Sequence, residues 1–197
     1  MDKIVLASGN KKKILELEDR LVGLNCSIVP QGTLGIEDAV EDGLSFVENA
    51  IKKARHASQI SGLPAIADDS GIEVDALHGQ PGIYSARFAG EPSNDAANNT
   101  KLLESLQGIA PAQRSARYRC VIVFMRHALD PMPAIFSGTW EGIILEAPQG
   151  EGGFGYDPLF YCPQSQCSAA QMTAQQKQQI SHRGQALMQL QSWFRAQ

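Results

Sequence analysis

Short apolar runs alternate with segments of helical periodicity along most of this chain, and that alternation is what most narrows its fold. Lys3-Ile-Val-Leu-Ala7 reads as a buried strand, and Ile14, Leu17 and Leu21, spaced by three and four, predict a helix after Asn10. Phe46, Val47, Ala50, Ile51, Ala54 and Ala57 mark a second helix, with Ser45 and Glu48 placed for a capping box. Residues 64–68 and 72–77 read as two strands with Asp69-Ser70-Gly71 between them. Residues 95–107 are expected to be helical, and a closing helix from Ser181 presents Leu187, Leu190 and Phe194 on one face. Arg117–Arg126 and Pro133–Leu145 are long β-type runs around Asp130-Pro131, an antiparallel pair added to the sheet. These elements predict an α/β architecture on a mixed sheet.

Two segments fall outside that pattern. Residues 78–93 are too rich in Gly and Pro for a regular element and long enough to be a functional loop. Gln164 to Gln179 holds seven Gln and reads as a polar, mobile connection without a core role.

The chain's 197 residues suffice for one domain, with 43% hydrophobic and 19% charged residues, as in ordinary globular proteins. The longest apolar run, Cys120 to Met125, is strand-sized, which argues against a membrane span. Met1 to Ser8 lacks the basic start and extended apolar core of a signal peptide, so a cytoplasmic location is expected. Four cysteines, at 26, 120, 162 and 167, show no zinc-like pairing and are expected to be free thiols. A net charge of −4 speaks against a nucleic-acid surface. The short basic clusters Lys11-Lys12-Lys13 and Lys52-Lys53-Ala54-Arg55 suit a small anionic ligand better than a polymer.

Asp68 and Asp69 are the most suggestive pair. Adjacent carboxylates repel unless a cation or proton lies between them, which suggests a hard-metal site, although Asp-Asp-Ser-Gly is also good turn chemistry. Ser8-Gly9-Asn10 leaves a strand and enters a helix, where free backbone N–H groups could take a phosphate beside Lys13, although by itself the segment reads more readily as an ordinary turn with Asn10 as cap. Glu41, Asp42, Glu48 and Asn49 could converge with the Asp pair, and Glu41 plus Asp69 would suffice for Mg²⁺. Glu48 could instead only cap its helix and Asp42 only be solvated, while Lys53 could face solvent or reach a triphosphate. The Gly-rich stretch Gly150–Pro158 could let a flat ligand stack on Phe154 or Tyr156, or could be a turn whose aromatics return to the core. Ser181 is placed to cap the final helix, so that His182, Arg183 and nearby Lys177 suit a carbonyl-bearing base or a phosphate, or the segment could only cap the helix with Arg183 in solvent.

In this order, Ser8–Lys13, Gly43–Ala50, Ala67–Gly71, Pro81–Arg87, Gly153–Pro158 and Ser181–Arg183 closely resemble the inosine triphosphate pyrophosphatase family, which includes the bacterial dITP/XTP pyrophosphatases. The resemblance implies a single nucleoside triphosphate pyrophosphatase domain over residues 1–197. Its implied fold is an elongated two-lobed α/β structure on a long mixed sheet with flanking helices, its active site in the cleft between lobes, and it implies a homodimer. It implies hydrolysis of dITP, ITP, XTP or dXTP to monophosphate and pyrophosphate with Mg²⁺ as cofactor. By matching position, Asp69 would be the general base, with Glu41 and Asp69 as metal ligands. Ser8, Gly9, Asn10, Lys11, Lys12, Lys13 and Lys53 would grip the triphosphate, with Ser70 beside it. Phe154, Gly155, Tyr156, Asp157, Lys177, His182 and Arg183 would form the nucleoside pocket. Many members carry a second acidic residue where this chain has Val40, and Gln replaces acidic residues common around 171–179. The competing expectations are a related pyrophosphatase for modified bases, a non-catalytic nucleotide-binding regulator and, weakest, a nucleic-acid-binding module.

Overall fold

A computed structural model describes residues 3–10, 14–17 and 26–196. Its described strands form one mixed sheet of order β2-β1-β3-β4-β5-β6-β7. These are β1 (Lys3–Leu6), β2 (Ser27–Pro30), β3 (Ala65–Val74), β4 (Ser115–Met125), β5 (Ala134–Ile144), β6 (Phe160–Cys162) and β7 (Cys167–Ser168). β1 runs parallel to β2 and β3, whereas β6 is antiparallel to β5 and β7. The labelled helices are α1 (Phe46–Ser61), α2 (Asp95–Ser105), α3 (Ala174–Ile180) and α4 (His182–Arg195); residues 14–17 are also helical. The expected α/β class on a mixed sheet is therefore observed. Leu21 and Lys11–Lys13 lie outside the described residues.

By its internal contacts the chain forms two compact units, one of residues 1–69, 120–137 and 186–197, the other of 70–119 and 138–185. In the first, Ile4, Leu6, Leu17, Ile66, Ile122, Phe124 and Leu190 form one core cluster. A second cluster there packs Ala50, Ala54 and Ala57 of α1 with Val5, Ala65, Ala67 and Val123. Alanine at positions i, i+4 and i+7 gives α1 a slim apolar face, which lets it lie close to its neighbours. The second unit packs Ile72, Val74, Leu102, Tyr118, Trp140, Tyr156 and Phe160.

The cap of α1 was legible in sequence: Ser45 accepts from the Glu48 N–H, while the Glu48 carboxylate accepts from the Leu44 N–H at 2.9 Å. Gly62, at φ 70°, closes the helix in the left-handed conformation favoured at C-termini.

Three expectations change. The two strands read at 64–68 and 72–77 are one, β3, which continues through Asp68-Asp69-Ser70-Gly71 and ends at Val74, with a 3₁₀ turn at Asp75–Leu77. Membership of this long strand, which lies between β1 and β4 in the sheet, overrides the local turn chemistry of Asp-Ser-Gly. Residues 78–93 contain a 3₁₀ helix, Gly82–Arg87, held by Ser85, whose Oγ accepts from Ile72 N–H at 2.8 Å. The Gln-rich segment is ordered into β7, a 3₁₀ turn and α3, and Ala169 and Ala170 are buried. Its glutamines act locally: Gln171 and Gln176 complete capping boxes with Ser168 and Thr173.

The long strands β4 and β5 are adjacent, and the connection 126–133 is too short for a parallel crossover, so they form a hairpin. Asp130 organises its turn, receiving the Arg126 guanidinium at 2.7 Å and the backbone N–H groups of Arg126 and Met132. The Arg126 guanidinium outweighs burial and holds this carboxyl well below its usual range. Asp75 is held down to about 2 by hydrogen bonds from Arg117 and Ser115. Both folded values lie below the unfolded one, so their stabilisation is full above about pH 4 and disappears as pH falls through the folded values. Asp75→Asn is therefore expected to flatten the acid limb of the unfolding midpoint between about pH 4 and 2. Urea titrations across that window check it, and an unchanged acid limb would refute it.

Candidate active site

Asp68 and Asp69 lie in the middle of β3, which is flanked by β1 and β4, and they are only 1% and 6% exposed. Carboxylates buried this deeply need nearby positive charge. Lys53 supplies it: its Nζ donates to Glu41 Oε1 at 2.9 Å and Asp69 Oδ1 at 3.0 Å. Burial works to lower the Lys53 pKa, but Asp69, Asp68 and Glu41 outweigh it and raise it, so the ammonium stays charged. Lys53 reaches this point from α1, one turn beyond Asn49, whose buried Oδ1 accepts from Gly43 N–H at 2.8 Å. That bond ties the segment after Glu41 to the start of α1.

The other acidic residues near this cluster are otherwise engaged. Asp42 pairs with exposed Lys52, and Glu48 caps α1. Ser8-Gly9-Asn10 forms a turn in which Ser8 Oγ accepts from Asn10 N–H at 3.2 Å, while Asn10 C=O accepts from Ile14 N–H. The Asp38 carboxylate stands against Gly9, where an added Cβ would lie 2.7 Å from Oδ2.

Among the described residues no three His, Cys, Asp or Glu side chains converge as a closed metal cage. The donors present still fit Mg²⁺, which takes one or two protein carboxylates and completes its shell with water and phosphate oxygens. Two carboxylates, Glu41 and Asp69, contact one and the same ammonium nitrogen, and Asp68 adds a third negative charge. Such a gathering of carboxylate oxygens suits a hard divalent cation.

The second unit holds a different cluster. Buried Asp157 Oδ2 accepts from Phe154 N–H at 2.8 Å and from the Lys177 ammonium. Tyr118 OH donates to Asp157 Oδ1 at 3.3 Å. Burial, then the Asp157 charge, pushes the Tyr118 hydroxyl well up, so it remains a donor. Gly153, at φ 74°, leaves room for this arrangement: an added Cβ would meet Asp157 Oδ2 at 2.1 Å. The space opened by that glycine is thus filled by the protein's own carboxylate.

Phe154 is half-buried, with the Lys177 ammonium 4.6 Å and the Arg183 guanidinium 5.9 Å from its ring centroid. Gly155 N–H donates to Asp95, and Gly155 C=O accepts from Asn99, both at 2.8 Å. Tyr156 belongs to the core, its OH donating to Ser85 C=O at 2.7 Å, so of the two aromatics Phe154 is the more accessible platform. Ser181 Oγ accepts from Gly184 N–H at 3.2 Å and caps α4, which places His182 and Arg183 in its first turn. The His182 ring stacks on Tyr118, with centroids 4.7 Å apart and planes 9° from parallel. Arg183 donates to Ser70 Oγ at 3.0 Å.

The structure thus groups Glu41, Lys53 and Asp69 in the first unit, and Ser70, Phe154, Asp157, Lys177, His182 and Arg183 in the second. Sequence reading missed Tyr118, Asp95 and Asn99. The inward register of Ala116, Tyr118, Cys120 and Ile122 on β4 was a signal for the first, whereas Asp95 and Asn99 read only as the first turns of α2.

The model of the Ham1 family matches residues 4–193. The chain belongs to the Ham1 family. A Ham1 protein of Coxiella burnetii has a solved structure with TM-score 0.95 and 47% identity, and the match covers 100% of both chains. A dITP/XTP pyrophosphatase of Photorhabdus laumondii is 54% identical over 187 residues, 95% of each chain. One from Thioalkalivibrio sulfidiphilus is 56% identical over 185 residues, 94% of each. The family resemblance drawn from the six motifs is therefore borne out, and this Ham1 chain matches those relatives over nearly its whole length.

Proposed function

We propose that this protein hydrolyses non-canonical purine nucleoside triphosphates, among them dITP and XTP, to the monophosphate and pyrophosphate. The bridging of Glu41 and Asp69 by the Lys53 ammonium carries this reading, because it gathers metal-ready carboxylates and a phosphate-binding cation at one point. The names of the relatives support the same substrates. Phosphoryl transfer needs mostly positioning and charge stabilisation. Glu41 and Asp69 would hold Mg²⁺, which when bound neutralises phosphate oxygens and the departing pyrophosphate. Asp69 orients water and accepts its proton as the water attacks the α-phosphorus. Lys53, kept charged by its carboxylates, meets the triphosphate together with the Ser8–Asn10 turn and Lys11–Lys13.

Base recognition falls to the second cluster. Arg183 carries donors only, and an N–H of His182 can donate, so a 6-oxo group is accepted and the 6-amino group of adenine would face donors. Phe154 offers its ring as the stacking surface, and Lys177 and Asp157 hold the adjoining segment. Guanine shares the 6-oxo group and is refused at its 2-amino group, by a site that tolerates H or O there and lacks an acceptor for NH₂.

Incubation with dITP, XTP, dGTP and dATP, with and without Mg²⁺, tests the whole reading by product chromatography. Pyrophosphate and monophosphate are expected from dITP and XTP, only with metal, at least about 100-fold faster than from dGTP or dATP. Release of single phosphates would overturn the chemistry, and equal turnover of dGTP and XTP would overturn the account of the 2-position. We further propose a homodimer acting in the cytoplasm, where the nucleotide pool lies. Sedimentation at twice the 21.3 kDa chain mass would support the dimer, and a single-chain mass would overturn it.

A further inference from the structure

Cys162 and Cys167 play no part in the chemistry above, yet they are direct partners across the antiparallel β6–β7 pair. Directly opposed residues of such a pair have Cα atoms about 4.5–5.5 Å apart, and their side chains leave the same face of the sheet. That separation falls inside the range of about 4.4–6.8 Å spanned by disulfides. Both thiols are free; Cys162 is buried and Cys167 is partly exposed. We propose that Cys162 and Cys167 form a reversible intramolecular disulfide site that closes at the expense of a small-molecule disulfide.

The two thiols have different access. Cys167, on the open side of the pair, is the one an external disulfide can reach. Cys162, at the end of β6, is buried, and its S–H donates to Ser165 Oγ in the following turn at 3.6 Å. Burial by itself would raise the Cys162 thiol, but once the proton has left, the Ser165 hydroxyl and backbone N–H and the Trp140 N–H can donate to the thiolate, and these outweigh burial and lower its pKa. A lowered pKa increases the thiolate fraction that resolves a mixed disulfide. In the first exchange the Cys167 thiolate attacks one sulfur of the external disulfide and expels one thiol. In the second, the Cys162 thiolate attacks the Cys167 sulfur and expels the other. Two protein thiols and one external disulfide thus become one protein disulfide and two thiols. Disulfides in reducing compartments are usually transient or redox-sensing, in keeping with a bond that opens again.

The connection to the rest of the unit is short. Ser168, next to Cys167, donates to Gln149 C=O at 2.6 Å, and Ala170 N–H donates to Asp157 C=O at 3.2 Å. Closing the bond therefore fixes a hairpin that leads directly into the segment carrying Asp157.

The whole protein would be treated with oxidised glutathione near pH 8, blocked with an alkylating agent without reduction, digested with trypsin and weighed. No Lys or Arg lies between His127 and Gln176, so Cys162 and Cys167 share the peptide 127–177, separate from Cys120 and Cys26. That peptide is expected to escape alkylation, to be lighter by two hydrogens and to regain both alkylation sites after reduction. Cys162→Ala is expected to stop at a glutathione adduct on Cys167. Cys167→Ser is expected to slow modification of Cys162 at least tenfold, because the buried thiol loses its relay. Two glutathione adducts on the native peptide, a bond between chains, or unmodified thiols would each overturn the proposal. Circular dichroism of both variants confirms that the comparison is between folded proteins.

Discussion

Asp69→Asn is expected to lower kcat by about 10²–10⁴-fold, the range associated with losing a positioned general base. The amide keeps the side chain's shape but accepts no proton from water and binds a divalent cation poorly. The protein should nevertheless stay folded. Lys53 retains Glu41 at 2.9 Å and the nearby Asp68 charge, and removing one of three carboxylates around one ammonium relieves repulsion. The thermal midpoint is therefore expected to hold or rise, a common result when a charged active site is neutralised. Two measurements separate the roles of Asp69: single-turnover rates at saturating Mg²⁺ report the base, and the Mg²⁺ concentration for half-maximal rate reports the ligand. Wild-type-like kcat in this variant would remove Asp69 from the chemistry.

The second large effect is on stability. Gly138 on β5 meets the start of α4 so closely that a Cβ there would lie 2.0 Å from His182 C=O and 2.9 Å from Gln185 Cβ. The first contact is with backbone, which cannot swing aside as a side chain could. The same contact is reinforced by Gln185, which donates to Thr139 C=O at 2.8 Å and accepts from Thr139 N–H. Gly138→Ala is expected to push the first turn of α4 outward at a cost on the order of 3 kcal/mol, lowering the thermal midpoint by roughly 6–12 °C. Because that turn carries His182 and Arg183, discrimination between XTP and dATP should fall with it. Gly32→Ala, where an added Cβ meets nothing within 4 Å, is the control and should leave both readouts unchanged. An unaltered midpoint in Gly138→Ala would show that β5 and α4 can separate without cost.

The two variants bear on different levels of organisation, and they divide along what could be read before any coordinates. Asp69 was conspicuous because adjacent carboxylates at the end of an apolar run are costly wherever they are placed. Gly138 was not, because one glycine in a β-type run carries no sign of what will lie against it. The same contrast separates the two clusters of candidate residues. Glu41 and Asp69 are legible as a carboxylate pair suited to a metal, with Lys53 either facing solvent or reaching a triphosphate, whereas Tyr118 is only one of several inward residues on β4 until its OH meets Asp157 and its ring His182.

The corrections have one cause. Asp68-Asp69-Ser70-Gly71 reads as a possible turn from local preference, but the long strand β3 of the sheet runs straight through it. The Gln-rich segment was read as a mobile connection from composition, but Ala169 and Ala170 find the core and Gln171 and Gln176 satisfy helix starts.

By itself the sequence determined the α/β class, the helix α1 with its Ser45 cap, the long β pair and the side chains available for metal and phosphate chemistry. Periodicity, capping and charge act over a few residues, so they can be read along the chain. Only the tertiary structure decided that β3 runs unbroken through the Asp pair, that Lys53 comes to stand between Glu41 and Asp69, and that Tyr156 is committed to the core. Those outcomes depend on sheet order and on partners many residues away, and contacts of that range are set by packing and not by local preference.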